Sequence, residues 1–212
     1  MSGIRDAVAS TGVDVVMTSP DHPSGTDRLA EVARGIDADV LLNVQGDLPL
    51  LDPAMVERLA GRMADDATLP MATIAVPLHD EADWRSPHVV KVVAGADGRA
   101  LYFSRSPIPF DRDGVRAPAE PVGWRHVGMY AYRREILLRL AALPPSPLER
   151  ARVARAAARV LEHGIAIGVV PWSDAAPLIE VDTPADLERA RAAMARARAG
   201  RPRVDTLPER LL

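Results

Sequence analysis

An apolar run at residues 40–44 places the strongest constraint on how this chain can fold. Val40-Leu41-Leu42-Asn43-Val44 has almost no polar residue, which is typical of a strand in a sheet that is covered on both faces. Before it, Leu29, Val32 and Ala33 share one face of a helix. The segment 13–56 thus changes from strand spacing to helical spacing and back, which indicates an α/β fold with a doubly wound, mostly parallel sheet.

The rest of the chain continues this alternation. Asp52 is a good N-cap, and Pro53 fits the first position of a helix in which Met55, Leu59 and Met63 form a buried stripe. Other strands are expected at residues 13–18, 71–76, 89–93, 100–103, 128–132, 165–170 and 178–181. Other helices are expected at residues 27–35 and 134–143, in the stretch that ends near residue 163, and at residues 184–200.

Length and proline content define the domain organisation. With 212 residues and 48% hydrophobic content, the chain suits one domain, which we place at residues 1–200 and which is followed by a loose tail at residues 201–212. Residues 106–124 contain four prolines, at positions 107, 109, 118 and 121. Because proline disrupts both a central strand and a regular helix, this stretch is predicted to be a loop or an arm.

The composition excludes several classes of protein. Without cysteine, the chain has no disulfide, thiolate zinc site or cysteine nucleophile. No apolar run approaches the roughly 20 residues that span a bilayer, and a formal charge of −3 argues against a general nucleic-acid-binding surface. No secretory signal is recognisable, so the expected location is the cytoplasm. Lys91 is the only lysine beside 25 arginines, a bias that we attribute to genome composition.

Two aspartates follow predicted strands in a similar way. Asp47 comes after the strand at residues 40–44, and Asp182 comes after residues 178–181, just before a helix with Thr183 as its N-cap. Ligands of open α/β sheets bind at the carboxyl ends of the strands, so both carboxylates are expected to face one crevice. Hard oxygen ligands of this kind suit Mg²⁺ bound together with substrate phosphates. The alternative is that Asp47 closes a turn and Asp182 only precedes the N-cap.

Two further signals are weaker. Ser24-Gly25-Thr26 lies between a predicted strand and a helix, where backbone N–H groups can face a nucleotide, although such a stretch is more often only a turn. His126 precedes a strand and has Arg125 beside it. The histidines lack the spacing of zinc ligands, so zinc chemistry has no support.

Seven short motifs, in the same order and at similar spacing, make the chain resemble a known family. They are Asp21-His22-Pro23-Ser24-Gly25-Thr26-Asp27-Arg28, Asn43-Val44-Gln45-Gly46-Asp47, Leu101-Tyr102-Phe103-Ser104-Arg105, Ile108-Pro109, Arg125-His126-Val127-Gly128-Met129-Tyr130-Ala131-Tyr132, Ser146-Pro147-Leu148-Glu149 and Val181-Asp182-Thr183-Pro184. Together they resemble the 3-deoxy-manno-octulosonate cytidylyltransferases, the CMP-sugar-acid synthetases of lipopolysaccharide biosynthesis. Seven motifs in register are far more specific than any one of them.

The resemblance implies a fold similar to that of the nucleotide-diphospho-sugar transferases, and it implies a reaction. A cytidylyl group would pass from CTP to the anomeric hydroxyl of an eight-carbon sugar acid, and pyrophosphate would be released. Because the arm at residues 106–124 lies where the family makes its dimer contacts, a homodimer is implied as well. The expected partners are therefore CTP, a small sugar acid and a second copy of the chain, with no nucleic acid and no membrane.

The resemblance also implies roles for individual residues of this sequence. Asp47 and Asp182 would hold Mg²⁺, and together with Arg105 they would be the catalytic residues. The nucleotide side of the cleft would be lined by Ser24, Gly25 and Gln45. The sugar acid would be contacted by Arg105, His126 and Tyr130, since an arginine can bind a carboxylate through two parallel hydrogen bonds.

The chain departs from the family's pattern in two places. Family members begin with a strand and a triphosphate-binding loop, whereas Met1 falls where the family is already in its second helix, so on the order of 60 residues are absent. A mis-assigned start codon, a separate partner chain and a true loss are the possible origins. The helix after Glu149 contains no further acid before Glu162, whereas the family has a Glu-Gln pair there that reaches the sugar acid.

These departures leave two alternatives open beside the octulosonate enzyme. One is a CMP-sialate-type synthetase or another nucleotidyltransferase of the same fold. The other is a catalytically silent fragment or assembly partner that lacks the triphosphate loop.

Overall fold

A computed structural model describes residues 2–114, 120–144, 147–150, 155–173, 178–181 and 183–199. The helices within these ranges are α1 (Ser2–Ala9), α2 (Gly25–Arg34), α3 (Pro53–Asp65), α4 (Glu81–Arg85), α5 (Arg134–Ala142), α6 (Pro147–Arg150), α7 (Arg155–Glu162) and α8 (Pro184–Ala199). The strands are β1 (Val40–Asn43), β2 (Met71–Leu78), β3 (Lys91–Ala94), β4 (Ala100–Ser104), β5 (Gly123–Arg133) and β6 (Ile167–Pro171). The predicted tail at residues 201–212, Asp182 and part of the arm lie outside the described residues.

The α/β class is confirmed, but the strand pairing differs from a mostly parallel sheet. The six strands form one sheet with the order β4-β3-β5-β2-β6, and β1 pairs with β5. Strand β5 runs antiparallel to β1, β2 and β3, and among the described pairs only β2 and β6 are parallel. The apolar pattern missed this because it reports burial and not strand direction. Strands β4 and β5 run in the same direction, because each is antiparallel to β3 between them.

The sheet separates two apolar cores. On one face, the buried stripe of α3 (Met55, Leu59 and Met63) packs against Ala72, Ile74, Val127 and Met129, as the helical spacing predicted. On the other face, α2, α5 and α7 cover Met71, Phe103, Tyr130 and Tyr132. Alternate residues of β5 thus enter opposite cores, as the period of a strand requires. Within the described residues, no helix is both long enough and apolar enough to cross a bilayer.

Two expected strands do not form. Residues 13–19 have no strand structure, and Val13, Val16 and Met17 are 56%, 62% and 57% exposed. A strand is stable only when its backbone pairs with a neighbour, and in the described chain β1 pairs with β5 alone. Residues 178–181 also form no strand, although the N–H of Val181 donates to the Asp47 carbonyl at 2.9 Å.

The predicted starts of α3 and α8 agree with the structure, whereas α2 begins at Gly25, two residues before the predicted start. Asp52 caps α3 by accepting a hydrogen bond from the Ala54 N–H at 2.9 Å. At α8, the Thr183 hydroxyl accepts from the Asp186 N–H at 3.3 Å, and the Asp186 carboxylate accepts from the Thr183 N–H at 2.9 Å. This reciprocal pair is a capping box, and it fixes where the chain turns from residue 183 into α8.

The described part of the arm is fastened to the sheet near Gly123. The Trp84 indole N–H donates to the Ile108 carbonyl at 3.0 Å, and the Val122 N–H donates to the Leu78 carbonyl at 2.6 Å. A Cβ added at Gly123 would lie 2.9 Å from the Ile108 oxygen and 3.0 Å from Trp84 Cδ1. Glycine at this position therefore permits the close approach of arm and strand.

We expect Gly123→Ala to destabilise the protein by about 1–3 kcal/mol, because the new methyl group meets backbone and an indole ring. Urea unfolding followed by tryptophan fluorescence measures this. The matched control is Gly61→Ala on α3, where an added Cβ meets nothing within 4 Å. This control should stabilise the protein by about 0.5–1 kcal/mol through the higher helix propensity of alanine. Equal midpoints for Gly123→Ala and the unmodified chain would contradict the close approach.

Candidate active site

A wide irregularity in β5 lies at the centre of the predicted site. Thr73 of β2 pairs with Tyr130, but the next residue of β2 pairs with Val127, so β5 contains two extra residues at Gly128 and Met129. The Thr73 hydroxyl donates to the Met129 carbonyl at 2.8 Å and approaches the Val127 carbonyl at 3.2 Å. Such bulges redirect side chains and are frequent beside active sites.

Gln45 lies against this bulge. A Cβ built on Gly128 would be 3.9 Å from Gln45 Cγ, so the Gln45 side chain lies on the side of Gly128 to which a Cβ would point. Gln45 follows β1, whose last residue, Asn43, pairs with Tyr130. The side-chain amide of Gln45 also donates a hydrogen bond to Oδ1 of the Asn43 side chain at 3.4 Å. The structure therefore brings Gln45 next to the segment that carries His126 and Tyr130.

His126 and Tyr130 share one face of β5. Their ring centroids are 5.2 Å apart, and Phe103 meets the His126 ring edge-on at 5.1 Å. Burial lowers the pKa of His126 to about 3, with a further contribution from the Arg125 charge, and burial raises the pKa of Tyr130. Both side chains are therefore neutral at physiological pH. They can form hydrogen bonds to a substrate, but they cannot supply a positive charge to a carboxylate.

Arg105 carries its positive charge beside the segment 86–89, which precedes β3. It follows β4 directly and is exposed, and its guanidinium donates to the Pro87 carbonyl at 2.7 Å. The backbone carbonyl of Arg105 accepts a hydrogen bond from Lys91 at 2.6 Å. Lys91 was not among the predicted site residues. It is the only lysine in the chain, and this was the sequence feature that could have identified it.

Asp47 has the features expected of a metal ligand. Its Oδ1 is buried and has no hydrogen-bond partner in the described structure. The backbone bond between Val181 and Asp47 brings the residue before Asp182 to within 2.9 Å of the Asp47 carbonyl oxygen. Since a buried carboxylate oxygen is costly to leave unpaired, this atom fits a cation ligand. Asp182 itself lies outside the described residues, and within them no group of three or more histidine and acidic side chains forms a metal cluster.

Ser24 and Gly25 lie at the N-terminus of α2. The Ser24 hydroxyl accepts a hydrogen bond from the Asp27 N–H at 3.3 Å and donates to the Asp27 carboxylate. Gly25 is exposed, and an added Cβ would meet nothing within 4 Å. Ser24 is thus the N-cap of α2, a role that the sequence analysis did not assign to it. Its nucleotide-binding role stays a prediction.

A cleft lined by Arg125 lies on the face of β5 opposite His126, because Arg125 and His126 are neighbours in a strand and point in opposite directions. The cleft has a volume of about 500 Å³ and is lined by charged residues that include Asp83, Arg125, Glu180 and Arg189. Arg125 forms an ion pair with Glu180 at 3.0 Å. No sequence motif indicated this ion pair.

Comparison with known proteins is consistent with this arrangement. The family model described as cytidylyltransferase matches residues 2–167. The chain is similar to the 3-deoxy-manno-octulosonate cytidylyltransferase of Myxococcus xanthus, with 50% identity over 93% of the chain and 77% of the relative. It is also similar to the protein of that name from Syntrophotalea carbinolica, with 46% identity over 90% of the chain and 77% of the relative.

A solved structure has a similar fold. It is that of a CMP:2-keto-3-deoxy-manno-octonic acid synthetase complexed with CTP, which is 42% identical to this chain. The match covers 92% of the chain and 78% of the solved one, with a TM-score of 0.83. The fold, the family model and the two relatives agree, and the chain therefore belongs to the cytidylyltransferase family.

Proposed function

We propose that this chain transfers a cytidylyl group from CTP to 3-deoxy-manno-octulosonate or a related 2-keto-3-deoxy sugar acid. The observation that carries the proposal is the 46–50% identity to two enzymes named for this reaction. In the reaction, the anomeric hydroxyl oxygen forms a bond to the α-phosphorus of CTP. The bond from that phosphorus to the pyrophosphate oxygen breaks, and the hydroxyl proton is released. Positioning and charge stabilisation supply most of the catalysis in such transfers.

The sugar acid would bind at the neutral face of β5. Arg105 would hold its carboxylate through charge-assisted hydrogen bonds. His126 and Tyr130, both uncharged, would contact its hydroxyl groups. Gln45, which packs against the Gly128 bulge, would lie between the sugar acid and the cytidine. Ser24 and Gly25 would contribute to the nucleotide side from the start of α2.

Asp47 and Asp182 would hold Mg²⁺. When bound, the ion would offset the negative charge of the CTP phosphates. Support comes from the unpaired, buried Oδ1 of Asp47 and from the bond that holds Val181 beside it. The same bond holds the backbone of Asp47, since its main-chain carbonyl accepts the Val181 N–H.

The ion pair of Glu149 favours a second candidate sugar acid. Both carboxylate oxygens of Glu149 accept hydrogen bonds from Arg159, at 2.7 Å and 2.6 Å. Glu149 therefore forms an ion pair, and the sequence contains no other acidic residue between Glu149 and Glu162. A site with this composition could suit sialate or another 2-keto-3-deoxy acid.

We propose that residues 1–200 form a single domain located in the cytoplasm. We also propose that two copies of the chain form a homodimer through the arm at residues 106–124. Sedimentation equilibrium of the chain with and without residues 110–120 would test the dimer. A monomer at all concentrations would contradict it.

The test of function is pyrophosphate release from CTP and Mg²⁺ with a panel of sugar acids. The panel contains 3-deoxy-manno-octulosonate, N-acetylneuraminate and shorter 2-keto-3-deoxy acids, and ATP and UTP serve as controls for the base. Both the 212-residue chain and the chain joined to its upstream in-frame codons are assayed. Release with one acid identifies the substrate, whereas silence across the panel would remove the proposal. In that case, calorimetry with CTP distinguishes a silent binding protein from one that has lost the nucleotide site.

We expect Arg105→Ala to raise the KM for the sugar acid by about 10–100-fold, the value of one or two hydrogen bonds to a charged group. The KM for CTP should stay unchanged, since Arg105 would touch only the acid. Arg112→Ala is the matched control, because Arg112 is 82% exposed in its side chain and pairs with Asp113 on the arm. An equal change in both KM values would argue against carboxylate recognition by Arg105.

A further inference from the structure

The only lysine of the chain is fully buried. Lys91 has a relative exposure of 0%, at the start of β3 and between Ser104 of β4 and Arg125 of β5. Its ammonium donates to the backbone carbonyls of Ser86, Val89 and Arg105 at 2.9 Å, 2.7 Å and 2.6 Å. All three acceptors are carbonyl oxygens, so the charge is stabilised by dipoles and not by a carboxylate. Burial and the nearby Arg105 charge lower its pKa.

This arrangement suits an ammonium and not a guanidinium. The three N–H bonds of lysine diverge from one nitrogen and can reach three acceptors around a point. The donors of arginine lie in one plane and are spread over three nitrogens, so they cannot converge in the same way. In a chain with 25 arginines, the one lysine is found where arginine does not fit. Genome composition alone does not account for this placement.

The three acceptors belong to two segments that also meet through Arg105. Ser86 and Val89 begin and end the segment 86–89 that leads into β3. Within that segment, the Arg105 guanidinium donates to the Pro87 carbonyl at 2.7 Å and approaches the His88 carbonyl at 3.5 Å. Lys91 thus holds the backbone of Arg105 and both ends of the segment on which the Arg105 side chain rests.

We propose that Lys91 is a positioning residue for sugar-acid binding, which acts by fixing the backbone and the guanidinium of Arg105. The inference rests on the proposed function, because it assigns the sugar acid to Arg105. Lys91 is buried and does not touch the substrate. Removal of its ammonium frees three carbonyls, and the segment 86–89 and Arg105 then lose their common anchor. Arg105 then meets the substrate carboxylate with poorer geometry, and charge-assisted hydrogen bonds weaken when their geometry departs from the ideal.

The test is a double-mutant cycle with Lys91→Met and Arg105→Ala. Methionine keeps the length and volume of the lysine side chain but removes its charge and donors. We expect Lys91→Met to raise the KM for the sugar acid about tenfold or more, with kcat and the KM for CTP within about threefold, as for a loss of uniform binding. In the Arg105→Ala background, Lys91→Met should have almost no further effect, because residues that act through each other are not additive.

Arg99→Met is the matched control. It removes a cation from the other end of the β3–β4 hairpin, where Arg99 is 54% exposed in its side chain, and it should leave the sugar-acid KM unchanged. An unchanged KM in Lys91→Met, or additive effects in the cycle, would overturn the inference alone, provided that the unmodified chain is active. If the unmodified chain shows no transfer with any acid of the panel, the proposed function fails and the inference fails with it.

The unmodified protein gives an answer if Lys91→Met does not fold. Because there is one lysine, labelling with ¹⁵Nζ-lysine yields a single side-chain ammonium resonance. We expect 3-deoxy-manno-octulosonate to shift this resonance and Arg105→Ala to abolish the shift. A resonance that does not move when the sugar acid saturates the enzyme would overturn the inference.

Discussion

Asp47→Ala should abolish cytidylyl transfer without weakening the fold. We expect kcat to fall by about a thousandfold or more, the size of the loss when a group that stabilises transition-state charge is removed. Stability should be unchanged or higher by about 1 kcal/mol, because the substitution removes a buried oxygen that has no hydrogen-bond partner in the described structure. Steady-state pyrophosphate release and urea unfolding measure the two quantities on the same preparation.

Asp182→Ala should lower kcat to the same extent, since both carboxylates are proposed to hold one ion. The matched control is Asp52→Ala, five residues beyond Asp47. Asp52 caps α3, so its removal should cost about 1 kcal/mol of stability and leave kcat unchanged. A rate near normal for Asp47→Ala would show that the metal is held elsewhere.

Arg159→Leu should lower the free energy of unfolding by about 3–5 kcal/mol, as expected when one partner of a buried ion pair is removed. The side chains of Arg159 and Glu149 are only 7% and 11% exposed, and the pair is bidentate. Arg159 also donates to the Leu140 carbonyl at 3.0 Å, so it joins α7 to α6 and to α5. Urea unfolding followed by circular dichroism gives the change.

The double variant Glu149→Leu with Arg159→Leu separates the pair from its packing. It should recover most of the lost stability, because no carboxylate is then left buried and unpaired. A loss below about 1 kcal/mol in Arg159→Leu would mean that the pair is no stronger than an exposed one. If the double variant is as unstable as Arg159→Leu, the loss of stability is due to packing and not to the ion pair.

Local patterns predicted those parts of the fold that depend on near neighbours in the chain. The stripe of Met55, Leu59 and Met63 is buried as predicted, because helical spacing alone determines which face meets the core. The boundaries at Pro53 and Pro184 agree for a similar reason, since an N-cap acts within a few residues. The β3–β4 hairpin also follows from a local turn, in which Gly98 has a φ of 74°.

Features that depend on distant partners were not accessible in this way. Residues 13–18 have strand composition but no strand, because composition does not reveal whether a neighbour is present. The direction of β5 and its two-residue bulge depend on pairing with β1 and β2, which lie far away in the sequence. At the candidate site, the roles of His126, Tyr130 and Gln45 were predicted from the resemblance to the family motifs. The buried position of Lys91 is a consequence of three carbonyls that only the folded chain brings together.

The place of β5 in the sheet has a consequence for synthesis. Strands β1 and β2 both pair with β5 in the described structure, so neither has that neighbour until residue 133 has left the ribosome. The β3–β4 hairpin can form earlier, because its contacts are local. For most of translation the edges of β1 and β2 that pair with β5 therefore remain unpaired, and a nascent chain of this kind is exposed to aggregation until its eleven-residue strand arrives.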